Sequence, residues 1–428
     1  MSTNENKDKK AEVTALQAIS AEDRKDWISL AFVQAGICVC VPAFLLGALL
    51  AEAMPIWPAI ISGSLGLIVV VGMVATGMIG CDLGLASCTC CQAGFGKSGA
   101  RFIVSTIFAV NMIGWFGIQN GVCGEAFSNA MLAMTGWDIP VVVSNTIWGI
   151  IMLLTAVYGV HALEKLDKIS IPLLMIIMCY GTFLAFKVYG TGNLNDEGTV
   201  QSMSFMSGVA LSFNFTAVGT ITGPDYTRFQ KSRKDTVKSV FYGVFPMGVI
   251  TLIMGIVLTK LSGQYDISMV LIEVGLPLLG IIALVISTWT TNSTNAYSAG
   301  LNIVMALKLK DNRRREATLI SGIVGIVLCD LGILGHVEGV LSLLSYVVCP
   351  VGGVILADYW VVGKGKAKNF RPQDGVNWAG VIAWALGAII SYTLVKIEFV
   401  GIIIGFVIYL IAERFIPSAS RDNAENIA

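Results

Sequence analysis

Apolar runs of about 20 residues, the length that crosses a bilayer as a helix, recur along the whole chain. Twelve are read, at 28–50, 57–80, 102–131, 140–160, 169–187, 205–222, 239–261, 275–305, 317–334, 337–356, 375–395 and 397–415. Basic residues test that count, because cytoplasmic segments hold the excess of Lys and Arg. With the amino terminus inside, all of the 28 basic residues except Lys187, Lys260 and Lys396 fall on the inner side. A missed or extra span would scramble this pattern from the error onward. The expectation is twelve membrane helices with both termini cytoplasmic.

Two spans carry breaking signals. The first has Gly36, then Cys38, Cys40 and Pro42, and proline removes a backbone donor. The sixth runs through Phe213, Asn214, Phe215 and Thr216 to Gly219 and the pair Gly223-Pro224. They stand five spans apart, as an inverted five-helix repeat requires. Interrupted segments at matching places in two halves mark the binding site of a carrier.

The eighth span is polar where it should be most apolar. Ser287 to Asn295 reads Ser-Thr-Trp-Thr-Thr-Asn-Ser-Thr-Asn. In hydrocarbon each of those groups needs a partner, at a cost of several kcal/mol if it lacks one. The span therefore faces a cavity, an ion or another polar helix. Hydroxyls bonding back to their own helix are the bland reading, and nine such positions in a row exceed what it needs. Hydroxyls of Thr290 and Thr291, with carbonyls freed by a helix break, are hard oxygen ligands that suit a small alkali cation. Ser287 and Asn292 are further candidates to touch a solute.

Composition agrees with the spans. The chain is 55% hydrophobic and 13% charged, with mean hydropathy +0.76, where soluble proteins carry about 25% charge. Formal charge is zero, and no basic face invites nucleic acid. The first 26 residues lack the apolar core of a cleavable signal and are expected to form a disordered cytoplasmic tail. The ten cysteines lie mostly in apolar stretches and are read as small hydrophobes. The cluster Cys81, Cys88, Cys90, Cys91 lacks paired Cys-x-x-Cys spacing, and the two histidines, His161 and His336, fall in loops on opposite sides. No catalytic pair or cofactor motif stands out, so an enzyme is not expected.

On the third span, Asn111, Trp115 and Gln119 share a face at steps of four. An aromatic beside an amide suits a planar, hydrogen-bonding solute, with stacking on one and edge recognition by the other. The competing reading is a Trp packed between helices and a Gln used as interhelical glue. Asn214, Phe215 and Thr216 repeat the aromatic–amide theme at the break in span six. Glu125 and Asp330, near outer ends of spans, are proton-relay candidates or solvated interface groups.

At Trp115-Phe-Gly-Ile-Gln119, Trp289-Thr-Thr-Asn292 and Pro350-Val-Gly-Gly353-Val-Ile-Leu-Ala-Asp358-Tyr359, the chain resembles the bacterial cytosine permeases of the nucleobase–cation symport family. Supporting stretches are Pro224-Asp-Tyr-Thr-Arg228-Phe and Val376-Asn-Trp378, and the similarity runs from about 28 to 415. The resemblance implies an all-α membrane fold of the LeuT type, with repeats at 27–189 and 205–356, added helices at 375–415 and a tail at 416–428. It implies a neutral planar base between Trp115 and Phe215, with polar contacts from Gln119 and around Asn214 and Thr216. A sodium ion would sit on carbonyls of Gly36, Val39 or Cys40, the carbonyl of Ser287, and the hydroxyls of Thr290 and Thr291. Two positions depart from the cytosine carriers: Met112 where they have Gln, and Ser287 where they have Asn.

The resulting expectation is a symporter of the plasma membrane that needs no cofactor beyond its coupling sodium, with a monomer sufficient. Cytosine is the first substrate expected. The alternative is proton-coupled uptake of a purine, uracil, hydantoin, allantoin or hydroxymethylpyrimidine-type solute; a channel or receptor stands further back.

Overall fold

A proline two residues after a non-helical pair is what bends the first span. The computed structural model describes residues 18–416 apart from 159, 196–202, 265 and 311–312. Most of both expected tails and the side chain of His161 therefore lie outside the described residues. Helix α1 (Trp27–Cys38) opens on Asp26, which accepts from the Ser29 amide. It ends where Val39 takes φ −99, ψ 69 and Cys40 takes φ −142, ψ 160. Helix α2 (Val41–Ala53) then starts with Pro42 in its first turn, its axis 48° from that of α1.

The rest of the described chain is also helical. It continues with α3 (Ile56–Gly66), α4 (Val69–Leu83), α5 (Ser87–Cys90), α6 (Gln92–Gly99), α7 (Ser105–Thr135), α8 (Val141–Tyr158) and α9 (Val160–Tyr189). Helices α10 (Phe205–Thr216), α11 (Gly219–Thr227), α12 (Arg233–Ser262), α13 (Ile267–Glu273) and α14 (Pro277–Leu307) follow. The last four are α15 (Arg314–Asp330), α16 (Val337–Leu356), α17 (Trp378–Ile390) and α18 (Val400–Phe415). Among the described residues the only strand-like pairing is an isolated bridge between Lys25 and Gln230.

Among the described residues, seven continuous helical paths are long and apolar enough to cross a membrane, or eight when α1 and α2 count as one bent span. The other expected spans also hold helices, but α8, α15 and α18 are short and the polar string makes α14 less apolar. The sixth span is milder than its sequence suggests. Ala217 and Val218 interrupt the helix yet keep right-handed helical dihedrals, so α10 and α11 run on as one 23-residue path. Gly and Pro permit a sharp break; they do not force one.

Packing divides most helices into two groups. In one, α12 lies against α1, α2, α3 and α4, while α10 packs on α3 and α11 on α4. In the other, α14 lies along α7 and α15, and α8 closes the set against all three. Within the first group the backbones nearly touch. A methyl on Gly255 would stand 2.5 Å from the Phe44 carbonyl oxygen, and one on Gly47 2.6 Å from that of Leu252. Small residues at such crossings let membrane helices gain van der Waals contact. Helices α16, α17 and α18 form a third cluster, sealed around Val351, Val354, Ala383 and Tyr409.

Candidate functional site

The two groups enclose a cavity of about 430 Å³, within the range of small-molecule sites. Its walls come from the break between α1 and α2, from α7, from the α10–α11 junction and from α14. Trp115 and Phe215 stand at one end and touch each other edge to face, centroids 5.8 Å apart at 67°. A ring sandwiched between two aromatic faces needs about twice a ~3.5 Å contact, so the slot between these rings is closed in this conformation. Beyond them Leu46, Leu50, Leu211, Leu252, Ile256 and Leu341 pack into an apolar plug.

Gln119 also lines the cavity. It is 3% exposed, and its Oε1 has no hydrogen-bond partner among the described residues. Leaving such an acceptor buried and unpaired costs about 1–3 kcal/mol, which a solute donor would recover. Asn214 and Asn111 are buried with unpartnered Oδ1 atoms too, but neither lines the cavity. Thr216 does, with its hydroxyl shared between the carbonyls of Ser212 and Phe213 at 3.4 Å each.

The polar string on α14 divides by direction. Successive helical residues turn by about 100°, so nine in a row cannot share one wall. Thr291, Thr294, Asn295 and Ser298 face the cavity. Asn292 does not: it is fully buried, and its Nδ2 donates to the Phe116 carbonyl of α7 at 3.2 Å. Ser293 Oγ likewise donates to the Met152 carbonyl of α8, and Trp289 Nε1 to Thr155 Oγ1, both at 3.0 Å. Asn292 thus joins helices and does not touch the chamber that was expected to hold it.

Ser287 and Thr290 are buried and off the cavity wall as well. The carbonyl of Ser287 nevertheless accepts from Thr290 Oγ1 at 3.2 Å and Thr291 Oγ1 at 3.0 Å, gathering three oxygens at one point. Across the cavity stand Gly36 and Cys40, with Val39 buried between them. The break ends α1 at Cys38, and the Val39 amide bonds back to the Ala35 carbonyl. Carbonyls of the final turn beyond Ala35 are thereby taken out of the regular ladder. The donor set is neutral and wholly oxygen, which fits an alkali cation and not a soft metal.

Among the described residues, the charged groups on the cavity wall are Lys25, Asp225 and Arg228, and the last two lie well beyond Phe215 along the α10–α11 path. Glu125 and Asp330 do not line it; Asp330 accepts from Asn145 Nδ2 at 3.2 Å, between helices. Cys88 reaches the wall, while Cys81, Cys90 and Cys91 are buried away from it. Among the described residues no three His, Cys, Asp or Glu side chains gather as a metal site. Sequence reasoning missed Asn295 and Ser298 as wall residues, although their helical spacing from Thr291 was available. It also quoted Asp225 and Arg228 without placing them at the site.

Two helix groups around a shared cavity, with a bent first span, define a helical membrane fold of the LeuT type. Comparison with known proteins makes the class specific. Residues 19–413 match the family described as permeases for cytosine/purines, uracil, thiamine and allantoin. The chain is 30% identical over 391 residues to the cytosine permease of Escherichia coli K12, covering 89% of each protein. It is 24% identical to the allantoin permease of Bacillus subtilis strain 168, over 93% of this chain and 92% of that one. In structure it resembles Mhp1, a nucleobase-cation-symport-1 family transporter in a closed conformation with bromovinylhydantoin bound. That match has TM-score 0.81 at 18% identity, covering 96% of this chain and 98% of the other. The chain belongs to this permease family. It is a multi-pass membrane transporter and not an enzyme.

Proposed function

We propose that this chain is a secondary active symporter of the plasma membrane that imports a small neutral planar nucleobase, cytosine first, together with sodium. The observation that carries the reading is the unpartnered Oε1 of Gln119, which shares a cavity with Trp115 and Phe215. A primary amide offers a donor and an acceptor side by side and pairs with an adjacent acceptor–donor edge of a base. The rings supply faces on which any such heterocycle stacks.

Twelve spans, an inverted repeat of 27–189 and 205–356, added helices at 375–415 and cytoplasmic termini belong to the same proposal. The bias of basic residues supports a cytoplasmic position for the end bearing Lys25 and Arg228. The cavity then reaches inward, and the apolar plug beyond Trp115 seals the outside. Sodium would be held by carbonyls of Gly36, Val39 and Cys40, the carbonyl of Ser287, and the hydroxyls of Thr290 and Thr291. Bound there, it would tie α1 to α14 and so link the two helix groups. Alternating access is their rocking about the cavity, which opens the closed Trp115–Phe215 slot on the way. One chain suffices.

Proton coupling is the second reading, favoured by Asp225 as a carboxyl group on the cavity wall. Uptake in vesicles tests both readings. Cytosine, uracil, hypoxanthine, hydantoin and allantoin compete for entry under a sodium gradient and under a pH gradient alone. Concentrative, sodium-dependent uptake competed best by cytosine is the expected result. Uptake driven by the pH gradient without sodium would overturn the cation assignment, and indifference to every base would overturn the substrate.

A further inference from the structure

Thr291, Thr294, Asn295, Ser298 and Asn302 form one face of α14, and all five line the cavity. Most of their polar atoms are already engaged. Thr291 Oγ1 and Thr294 Oγ1 donate one turn back, to the carbonyls of Ser287 and Thr290, at 3.0 and 3.1 Å. Asn302 Nδ2 donates to the Ser298 carbonyl at 2.8 Å, and its Oδ1 accepts from Cys88 Sγ at 3.1 Å. Asn295 and the Ser298 hydroxyl differ. Asn295 Nδ2 reaches Asn292 Oδ1 only at 3.5 Å, the outer limit of a hydrogen bond. Among the described residues nothing pairs with Asn295 Oδ1 or with Ser298 Oγ. Both residues are half-buried, so two uncommitted polar groups one turn apart face open space.

The packing of α14 on α7 fixes where they stand. Asn292 meets the Phe116 carbonyl, and further along α14 Asn302 shares the Cys88 sulfur with Ser105 of α7, so the two helices run antiparallel. Cys88 adjoins Ser87, whose amide donates to Asp225 at 2.8 Å, so the direction from Asn292 to Asn302 leads toward Asp225. At a rise of about 1.5 Å per residue, Asn295 stands about 4.5 Å and Ser298 about 9 Å from Asn292 in that direction. Met112 and Phe108 follow Phe116 the same way on α7 and line the cavity beside them. The slot between Trp115 and Phe215 is closed to a ring in this conformation, whereas the pair on α14 is open to one. A cavity of about 430 Å³ lies in the range of drug-sized ligands and exceeds what a single pyrimidine ring fills.

We propose that Asn295 and Ser298 form a second solute subsite, inward of the Trp115–Phe215 slot, that receives the base as it leaves the slot. A primary amide supplies a donor and an acceptor, and a hydroxyl one turn away supplies either. The subsite therefore takes a neutral ring that carries adjacent N–H and C=O groups. Met112, with its polarizable sulfur, and Phe108 offer apolar contact to the rest of that ring. The subsite rests on the symporter reading above and adds a stop on the inward path. Because it lies on one side of the slot, it acts on solute arriving from the inner side more than from the outer.

Right-side-out and inside-out membrane vesicles holding the full chain give the KM for radiolabelled cytosine from each side, with sodium saturating on the side of entry. A wild-type chain that takes up no base from either side would overturn the substrate reading and the subsite with it. Where the wild type transports, the variants decide the subsite alone. Asn295→Ala and Ser298→Ala should each raise the ratio of inner to outer KM at least fivefold. Trp115→Ala, in the slot used from both sides, should raise both values and leave the ratio within twofold of the wild type. Ser298→Ala keeps the carbonyl that Asn302 uses, so it carries the test if Asn295→Ala does not reach the membrane. A ratio that stays at the wild-type value in the α14 variants would overturn the subsite, whether both KM values hold or rise together.

Discussion

The side chain of Asn292 donates to the backbone carbonyl of Phe116 at 3.2 Å, so it ties α14 to α7 one turn from the cavity it was expected to line. Asn292→Ala should therefore act on stability and not on recognition. Interhelical hydrogen bonds in membranes are worth about 1 kcal/mol, and a loss of that size lowers Tm by roughly 1–3 °C in a chain this long. Thermal unfolding in detergent and uptake kinetics check this together. A tenfold higher KM with unchanged Tm would return Asn292 to the binding site.

Trp115 and Phe215 should contribute mainly to binding. Stacking of a base on an aromatic side chain contributes about 1–3 kcal/mol. Trp115→Ala should raise KM for cytosine roughly tenfold to a hundredfold, and Trp115→Phe should recover most of that. If Trp115→Ala keeps the native KM, the ring is packing only, as its edge-to-face contact with Phe215 would then indicate.

Gln119→Leu separates affinity from stability by sign. The substitution removes a buried acceptor that has no partner, so the solute-free protein should be as stable as the wild type or more so. Binding should weaken roughly tenfold to a hundredfold, the effect of losing paired hydrogen bonds in a closed site. Tm and binding calorimetry falling together would mean that Gln119 serves the fold.

Thr291→Ala removes the one hydroxyl of the oxygen cluster that also lines the cavity. Loss of one neutral ligand worth about 1 kcal/mol raises half-saturating sodium about fivefold. The KM for cytosine at saturating sodium should stay within about twofold. Vesicle uptake against a sodium titration measures it, and an unchanged sodium dependence would contradict the role of Thr291.

Gly255→Ala tests the packing of the first helix group. The added methyl would meet the Phe44 carbonyl at 2.5 Å, and overpacking of this kind costs roughly 1–3 kcal/mol. Lower Tm and lower yield are expected. Native stability would mean that α2 and α12 can move apart freely.

The sequence by itself determined that this chain is a bundle of membrane helices with polar groups inside it. Apolar runs, the bias of basic residues and a polar string in the eighth span are linear signals, because lipid makes each helix satisfy its own backbone. Gly36 and Pro42 also announced the bend in the first span. The facing of individual polar groups was decided only by the tertiary structure. Thr291 and Asn292 are neighbours, yet one meets the cavity and the other the backbone of α7, since a turn of about 100° per residue assigns each to whichever surface lies opposite. The same holds for Asp225, which the sequence offers only as part of the stretch Pro224 to Phe229. It becomes a cavity residue and a partner of Ser87 only when segments 138 residues apart meet.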